Sequence, residues 1–307
     1  MHEETEDIKP EQEEELEPGQ AGFVLTAGDT EIFRLASEYR FLRREHFSKL
    51  TGRSPKRLHR RIHMLAERGY LASIRLPLQK HIYALGKAAI SVLVEEGFAS
   101  PELLTERLRT HELKPLFIKH EMMIVDIHVM LALASRGSPI ALVDWREGKG
   151  LHDSVTIADY GGAVRLPVRP DAFFILEDSR RPPGANRANY FLEADRSTTD
   201  QKRFQEKLKA YWHYLEQGLH TRKYNIKNFR MLTITLTPER AKNLCELAGS
   251  LLPDRAKKYF LFGSLKSFSI DDPTAILGDF FMKASDPAGR YPLVLPPADS
   301  QIPPAVI

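Results

Sequence analysis

Three acidic residues of this sequence have the type and spacing needed to bind a divalent metal ion. Asp171 follows Pro170 and opens the apolar segment DAFFIL, and Glu193 and Asp195 alternate in the next apolar segment, YFLEAD. Because side chains alternate along a strand, Glu193 and Asp195 share one sheet face, and Asp171 approaches them if the two strands pair. Carboxylate oxygens are the ligands that Mg²⁺ and Mn²⁺ prefer. We therefore expect Asp171, Glu193 and Asp195 to hold Mg²⁺ or Mn²⁺, which would stabilise charge on a reacting phosphodiester.

The segment after YFLEAD has helical spacing and carries the cation that such a site needs. Arg203, Lys207 and Tyr211 follow one another at intervals of four residues and share one helix face. Lys202 lies about 140° around the helix from Lys207, so only one of the two lysines faces the carboxylates. We assign the catalytic cation to Lys207, with a solvated surface lysine as the alternative. Tyr211 is either a nucleophile or, within the aromatic run AYWHYL, a packing residue, and packing is the expectation.

The same carboxylates have a second interpretation. Acidic groups that approach one another are costly unless a cation neutralises them, and an arginine serves as well as a metal ion. Arg169, Arg196 and Arg203 lie near the acidic residues in the sequence. A structural salt-bridge network without metal or catalysis therefore stays open.

Charge is distributed very unevenly along the chain. Residues 1–20 carry nine acids and one base, whereas residues 53–87 carry nine bases, three histidines and one acid. A basic segment of this density is typical of a protein that binds a polyanion such as DNA. The acidic leader, residues 1–24, has few apolar residues, and we predict that it is disordered.

The basic segment belongs to a pattern that predicts a winged helix-turn-helix over residues 25–100. Three helices are expected, at 29–39 with Asp29 as the cap, at 43–51 and at 55–67. They are followed by a hairpin, formed by LASIRL and IYAL, and by a fourth helix, GKAAISVLVEEG. In the third helix an apolar stripe backs a cationic face, as a recognition helix in the major groove requires. The residues predicted to contact double-stranded DNA are Lys56, Arg57, Arg60, Arg61 and His63 on this helix and Arg75 and Lys80 on the wing. The alternative is a winged helix that makes protein contacts only.

Residues 110–295 alternate between strand and helix patterns and predict a mixed αβ domain, followed by a tail at 296–307. Within it, His120 and His128 lie on a long apolar helix, where we interpret them as core or interface residues. The basic stretch 220–230 is a second phosphate contact or a solvated turn, and we favour the contact. Cys245 is the single cysteine and has helix-core spacing, which fits a reducing cytoplasm. The sequence contains no apolar run of about 18 residues, so it does not predict a membrane-spanning helix.

The segments PVRPDAFFIL and YFLEADRSTTDQKRFQEKLKAYWHYLEQG resemble the bacterial plasmid replication-relaxation family. The resemblance extends over most of residues 25–290 and is strongest from 169 to 218. That family is related to a mobilisation relaxase with a restriction-endonuclease-like core. The resemblance implies an α+β fold, a winged helix-turn-helix followed by a mixed-sheet, restriction-endonuclease-like αβ domain. It also aligns Pro170-Asp171 and Glu193-Ala194-Asp195 with the nuclease signature Pro-Asp, then Asp/Glu-x-Lys. Asp195 stands where the nuclease has lysine, which leaves cleavage open.

Two functions follow from these observations. The first is a DNA-binding protein of plasmid or mobile-element replication or relaxation, with metal-dependent nicking. The second is a non-enzymatic DNA-binding regulator or replication initiator that keeps an inactive nuclease-like domain. Either would act on double-stranded DNA in the cytoplasm, with other replication or mobilisation proteins as further partners and no membrane.

Overall fold

The computed structural model describes residues 23–77, 80–108, 114–159, 162–196 and 200–294. The predicted leader at 1–24, except its last two residues, and the predicted tail at 296–307 lie outside these ranges.

The N-terminal unit contains α1 (Ala27–Tyr39), β1 (Leu42–Arg43), α2 (Arg44–Thr51), α3 (Pro55–Glu67), β2 (Leu71–Ile74), β3 (Ile82–Leu85), α4 (Ala89–Glu95) and α5 (Pro101–Arg107). Its strands form an antiparallel sheet in the order β1-β3-β2. The three helices, the hairpin and the fourth helix are present as the sequence predicts.

Local chemistry explains where these helices begin and end. The first helix starts two residues before the predicted cap, because Thr26 is the cap and Asp29 occupies the third helical position, where its carboxylate accepts the Thr26 amide. Helix α2 ends at Gly52, whose φ of 69° is a left-handed conformation that glycine adopts without strain. Pro55 then occupies the first turn of α3, where its missing N–H costs nothing.

The second part of the chain is built on one large mixed sheet. Its elements are α6 (Pro115–Ala134), β4 (Ile140–Glu147), β5 (Asp153–Asp159), β6 (Gly162–Val168), β7 (Ala172–Asp178), β8 (Arg187–Asp195), α7 (Gln201–Glu216), α8 (Leu219–Tyr224), β9 (Arg230–Thr235), α9 (Pro238–Leu251), α10 (Asp254–Lys257), β10 (Phe260–Ser264), β11 (Phe281–Lys283) and β12 (Asp286–Tyr291). Seven strands pair in the order β12-β11-β10-β9-β8-β7-β4. Strands β4, β7 and β8 are antiparallel neighbours, and β8, β9 and β10 are parallel. The sequence did not predict α8, α10, β11 or β12.

Strands β5 and β6 pair antiparallel as a ribbon separate from the large sheet; residues 160 and 161 between them lie outside the described ranges. The helix predicted after YFLEAD is present as α7, which begins at Gln201.

Both faces of the sheet are buried, which explains why its central strands are almost continuously apolar. On one face Phe173, Phe191 and Phe262 pack under α7 and α9. On the other face Phe174 and Leu192 pack under α6. Cys245 is buried on α9 in the first of these cores, as its spacing predicts.

Helix α6 joins the N-terminal unit to the sheet. Met122 and Val125 pack into the core of the N-terminal unit, while Ile124 and Ile127 pack against the sheet. Polar contacts reinforce the junction. Arg40 forms an ion pair with Glu121 at 3.3 Å and Arg43 one with Asp126 at 2.8 Å, and Nε2 of His46 donates to Asp126 at 3.0 Å. No helix within the described ranges has the length and apolar character of a membrane span.

Candidate functional site

The pairing of β7 with β8 brings Asp171 to the acidic pair, as the sequence predicts. The Asp171 amide donates to the Leu192 carbonyl at 2.9 Å, and the Asp171 carboxylate accepts the Ala194 amide at 2.7 Å. Its second oxygen lies 3.0 Å from Nε2 of His120 on α6. A carboxylate only accepts, so Nε2 carries the proton of this hydrogen bond. Asp171 is thus held in place from both its own sheet and the helix beneath it.

His120 is one site residue that sequence reasoning missed. It was interpreted as a core or interface residue, but its side chain is 31% exposed and faces Asp171. Burial lowers the pKa of His120, but the hydrogen bond and charge of Asp171 outweigh that effect and raise it above the usual value. The sequence gives no sign that His120 belongs to this site, because Asp171, its partner, lies 51 residues away along the chain.

Glu193 lies on the opposite side of the cleft and is the most deeply buried of the three carboxylates, at 2% exposure. Lys207 donates to one of its oxygens and the Tyr211 hydroxyl donates to the other at 2.5 Å. Burial raises the pKa of Glu193, and the Lys207 ammonium offsets this only in part. Lys207 therefore reaches the acidic cluster, as helix geometry predicts. Tyr211 is buried, packs against Phe191 and has a pKa raised by burial, which fits packing rather than nucleophilic attack.

Asp195 points along the same face as Glu193 but has a different partner. Nε of Arg240, on α9, donates to Asp195 Oδ2 at 2.8 Å. The arginines considered as structural partners from the sequence are not those observed, since Arg203 is exposed and pairs with Asp200 at 3.5 Å. The prediction that Arg203 faces the carboxylates is therefore wrong: Arg203 lies in the first turn of α7, where it is exposed and pairs with the N-cap residue Asp200.

These side chains line one narrow cleft of about 70 Å³. Its lining consists of His120, Asp171, Glu193, Ala194, Asp195, Phe204 and Lys207. The carboxylates converge, yet each is paired with a different protein group: Asp171 with the His120 imidazole, Glu193 with the Lys207 ammonium and Asp195 with the Arg240 guanidinium. Within the described ranges no three His, Cys, Asp or Glu side chains are placed to hold a metal ion. The donor set as arranged does not fit a metal site of three carboxylates.

The cationic face predicted on α3 is exposed. Leu58, Ile62 and Leu65 are buried, while the opposite face presents Lys56, Arg57, Arg60 and His63 to solvent. Lys56, Arg57 and Arg60 form no ion pair with any residue that the structure describes, and His63 contacts Glu67 at 3.2 Å. On the hairpin Arg75 is exposed, and Lys80 pairs with Glu45.

Arg61 differs from the other predicted DNA contacts. Its guanidinium donates to both oxygens of Asp29, at 2.8 and 2.5 Å, and to the Val24 carbonyl at 2.7 Å. Asp29 is 1% exposed, so this is a buried ion pair between α3 and the start of α1. The geometry gives Arg61 a structural task that the cationic pattern alone did not reveal.

The stretch 220–230 is more structural than predicted. His220 is buried, Lys223 donates to the His152 carbonyl at 2.6 Å, and the Tyr224 hydroxyl donates to the Leu151 carbonyl at 2.9 Å. These contacts attach α8 to the loop before β5. Phosphate binding by this stretch stays a prediction.

Comparison with known proteins gives a family match over the middle of the chain. A search of curated proteins and a search of solved structures gave no match. The sequence model of the replication-relaxation family matches residues 33–228, more than half of the chain. The matched range begins in α1 and ends after α8, so it contains the cationic helix and all three carboxylates. Together with the motifs in β7 and β8, this match shows that the chain belongs to the replication-relaxation family.

Proposed function

We propose that this protein binds double-stranded DNA through its N-terminal unit, as a winged helix-turn-helix with α3 as recognition helix. The observation that carries the proposal is the exposed cationic face of α3, formed by Lys56, Arg57 and Arg60, behind which an apolar stripe is buried. A helix of this kind fits the major groove, where phosphates flank it on both sides. Family membership supports a role in replication or relaxation, and plasmid or mobile-element DNA is the proposed setting.

The hairpin of β2 and β3 extends the same surface as the wing. Arg75 is exposed at the end of β2, where it would contact the DNA backbone next to the major groove. Lys80 would have to leave Glu45 to make such a contact, so we rank it below Arg75.

The test is duplex binding by the full chain, measured by fluorescence anisotropy. The variant Lys56→Glu, Arg57→Glu, Arg60→Glu should lose most of its affinity. A matched variant, Lys242→Glu, Arg255→Glu, Lys258→Glu, removes the same charge from exposed sites around α9 and α10 and should bind nearly as the wild type does. Equal affinity of the two variants would reject α3 as the recognition helix and favour a unit that makes protein contacts.

The core domain has two candidate functions. Metal-dependent nicking by a restriction-endonuclease-like site is favoured by one observation: Lys207 supplies, from α7, the cation that position 195 lacks. Such activity would require Mg²⁺ or Mn²⁺ to displace cations that now neutralise the carboxylates, beginning with Lys207 on Glu193. The non-enzymatic alternative is favoured by the complete pairing of Asp171, Glu193 and Asp195 with protein groups.

A nicking assay on supercoiled plasmid separates these two candidates. Wild type is incubated with Mg²⁺ or Mn²⁺ and, in parallel, with a chelator. Chelator-sensitive nicking that is lost in Lys207→Ala and kept in Lys202→Ala supports the enzyme. No nicking by wild type in either metal, at concentrations where the DNA is bound, supports the non-enzymatic regulator or initiator.

A further inference from the structure

A second cavity, of about 470 Å³, lies where the N-terminal unit meets the core. The end of α1 contributes Glu38 and Tyr39, α6 contributes His128, and β4, an edge strand of the described sheet, contributes Trp145 and Glu147. This volume is in the range of small-molecule sites, which lie preferentially between domains. The cavity shares no lining residue with the acidic cleft.

Aromatic rings form one wall of this cavity. The His128 ring stacks on Trp145 with centroids 4.0 Å apart and planes 9° apart, and Tyr39 packs at 4.4 Å from His128. Trp145 in turn stacks on Phe174 in the core of the sheet. The wall is therefore anchored in both units.

His128 is the observation that points to a ligand. The residue is 5% exposed and lines the cavity, yet its ring nitrogens make no hydrogen bond with the residues that the structure describes. Burial lowers the pKa of His128 to about 3, so the ring is neutral and offers one donor and one acceptor. Because the ring lines the cavity, a ligand there would hydrogen-bond with these nitrogens.

The charges around the cavity determine which ligand fits. Glu38, Asp144 and Glu147 line it. Arg146 pairs with Asp144 at 2.6 Å but is not part of the lining. Burial raises the pKa of Glu38, and no described cation is placed to lower it again. A phosphate would be repelled here, whereas a cation would be attracted to the carboxylates.

We propose that this cavity binds an alkylammonium group, either from a free polyamine or from a lysine side chain of a partner protein. The ammonium donates to Glu38 and to the acceptor nitrogen of His128, and the alkyl chain lies along the aromatic wall. The site is separate from the DNA-binding face, so its occupancy is a property additional to DNA binding.

The experiment uses the full chain with Trp212→Phe, which leaves Trp145 as the single tryptophan. The probes are spermidine, an acetylated and amidated tripeptide with one central lysine, and 1,4-butanediol as an uncharged control. Spermidine or the tripeptide should change Trp145 fluorescence in a saturable way, and butanediol should not. Tighter binding of spermidine identifies a free polyamine as the source, and tighter binding of the tripeptide identifies a lysine side chain.

Three variants locate the binding. Glu38→Gln removes one carboxylate of the cavity lining, and His128→Phe keeps the ring stack while removing the nitrogens. Each should weaken binding about tenfold, or ~1.4 kcal/mol. Glu246→Gln, an exposed carboxylate on α9, is the matched control and should change nothing. No fluorescence response to either amine, or equal affinities in all three variants, would overturn the proposal.

Discussion

Neutralising the exposed face of α3 should weaken the salt dependence of DNA binding by a calculable amount. The change is Lys56→Ala, Arg57→Ala, Arg60→Ala in the full chain. These side chains are exposed and not paired within the described ranges, so alanine removes charge without leaving a buried partner uncompensated. Binding to phosphates releases counterions, which makes the logarithm of the affinity fall linearly with the logarithm of salt concentration.

The expected number of phosphate contacts is set here by the cations among the predicted DNA contacts that are exposed and have no ion pair within the described ranges. Lys56, Arg57, Arg60 and Arg75 are exposed and available, whereas Arg61 is committed to Asp29 and Lys80 to Glu45. Four phosphate contacts give a slope of about −3.6, and the single contact left in the triple variant gives about −0.9. Between about 50 and about 200 mM salt the wild type should therefore lose roughly 150-fold in affinity, and the variant roughly threefold to fourfold.

Anisotropy titrations of one labelled duplex at several salt concentrations measure both slopes. The control variant Lys242→Ala, Arg255→Ala, Lys258→Ala should keep the slope of the wild type. If the α3 variant and the wild type show parallel lines, the phosphates are contacted elsewhere and the assignment of α3 fails, whatever the absolute affinities are.

Three further predictions concern the ion pairs. Arg61→Ala leaves the buried Asp29 carboxylate without its cation and should lower the free energy of unfolding by about 2 kcal/mol in urea titrations. The slope of DNA affinity against salt concentration should not change. A variant that is as stable as the wild type but has a weaker slope would contradict this. The pKa of His120 is raised, so its contribution to stability is fully present below about pH 6.5 and is lost as pH rises through the folded pKa. His120→Gln should therefore cost about 1 kcal/mol at about pH 5.5 and close to nothing at about pH 9, whereas a constant difference would refute the role of the charge. Lys207→Ala should lower the free energy of unfolding by about 2 kcal/mol, which is less than for a fully buried ion pair because the lysine side chain is 38% exposed. Lys202→Ala should lower it by less than about 0.5 kcal/mol. Equal losses in the two variants would argue against the inward position of Lys207.

Periodicity predicted what is local in this chain. The apolar stripe of α3, the alternation that puts Glu193 and Asp195 on one face, and the helical offset between Lys202 and Lys207 all depend on residues within a few turns of each other. Each was therefore readable from the sequence. Strand β11 was missed because three residues are too few to show a period, and β12, with the sequence DPAGRY, because proline and glycine are not typical of a strand.

Long-range partners were beyond such reasoning. His120 and Arg240 lie 51 and 45 residues from the carboxylates that they contact, and nothing in the intervening sequence indicates that α6 and α9 bring them there. Arg61 shows the same limit within the N-terminal unit. A cation on a basic helix looks equivalent to its neighbours until the fold places a buried carboxylate, here Asp29, beside it.

Helix α6 has a consequence for how the chain can be divided. Different sides of this helix belong to two different cores, with Met122 and Val125 in one and Ile124 and Ile127 in the other. The helix is apolar all around because both sides are buried. A fragment that stops near residue 100 would keep every residue of the cationic face but expose the apolar surface that α6 covers. Thermal unfolding of the intact protein should accordingly appear as one cooperative transition, since neither core can lose this helix without opening the other.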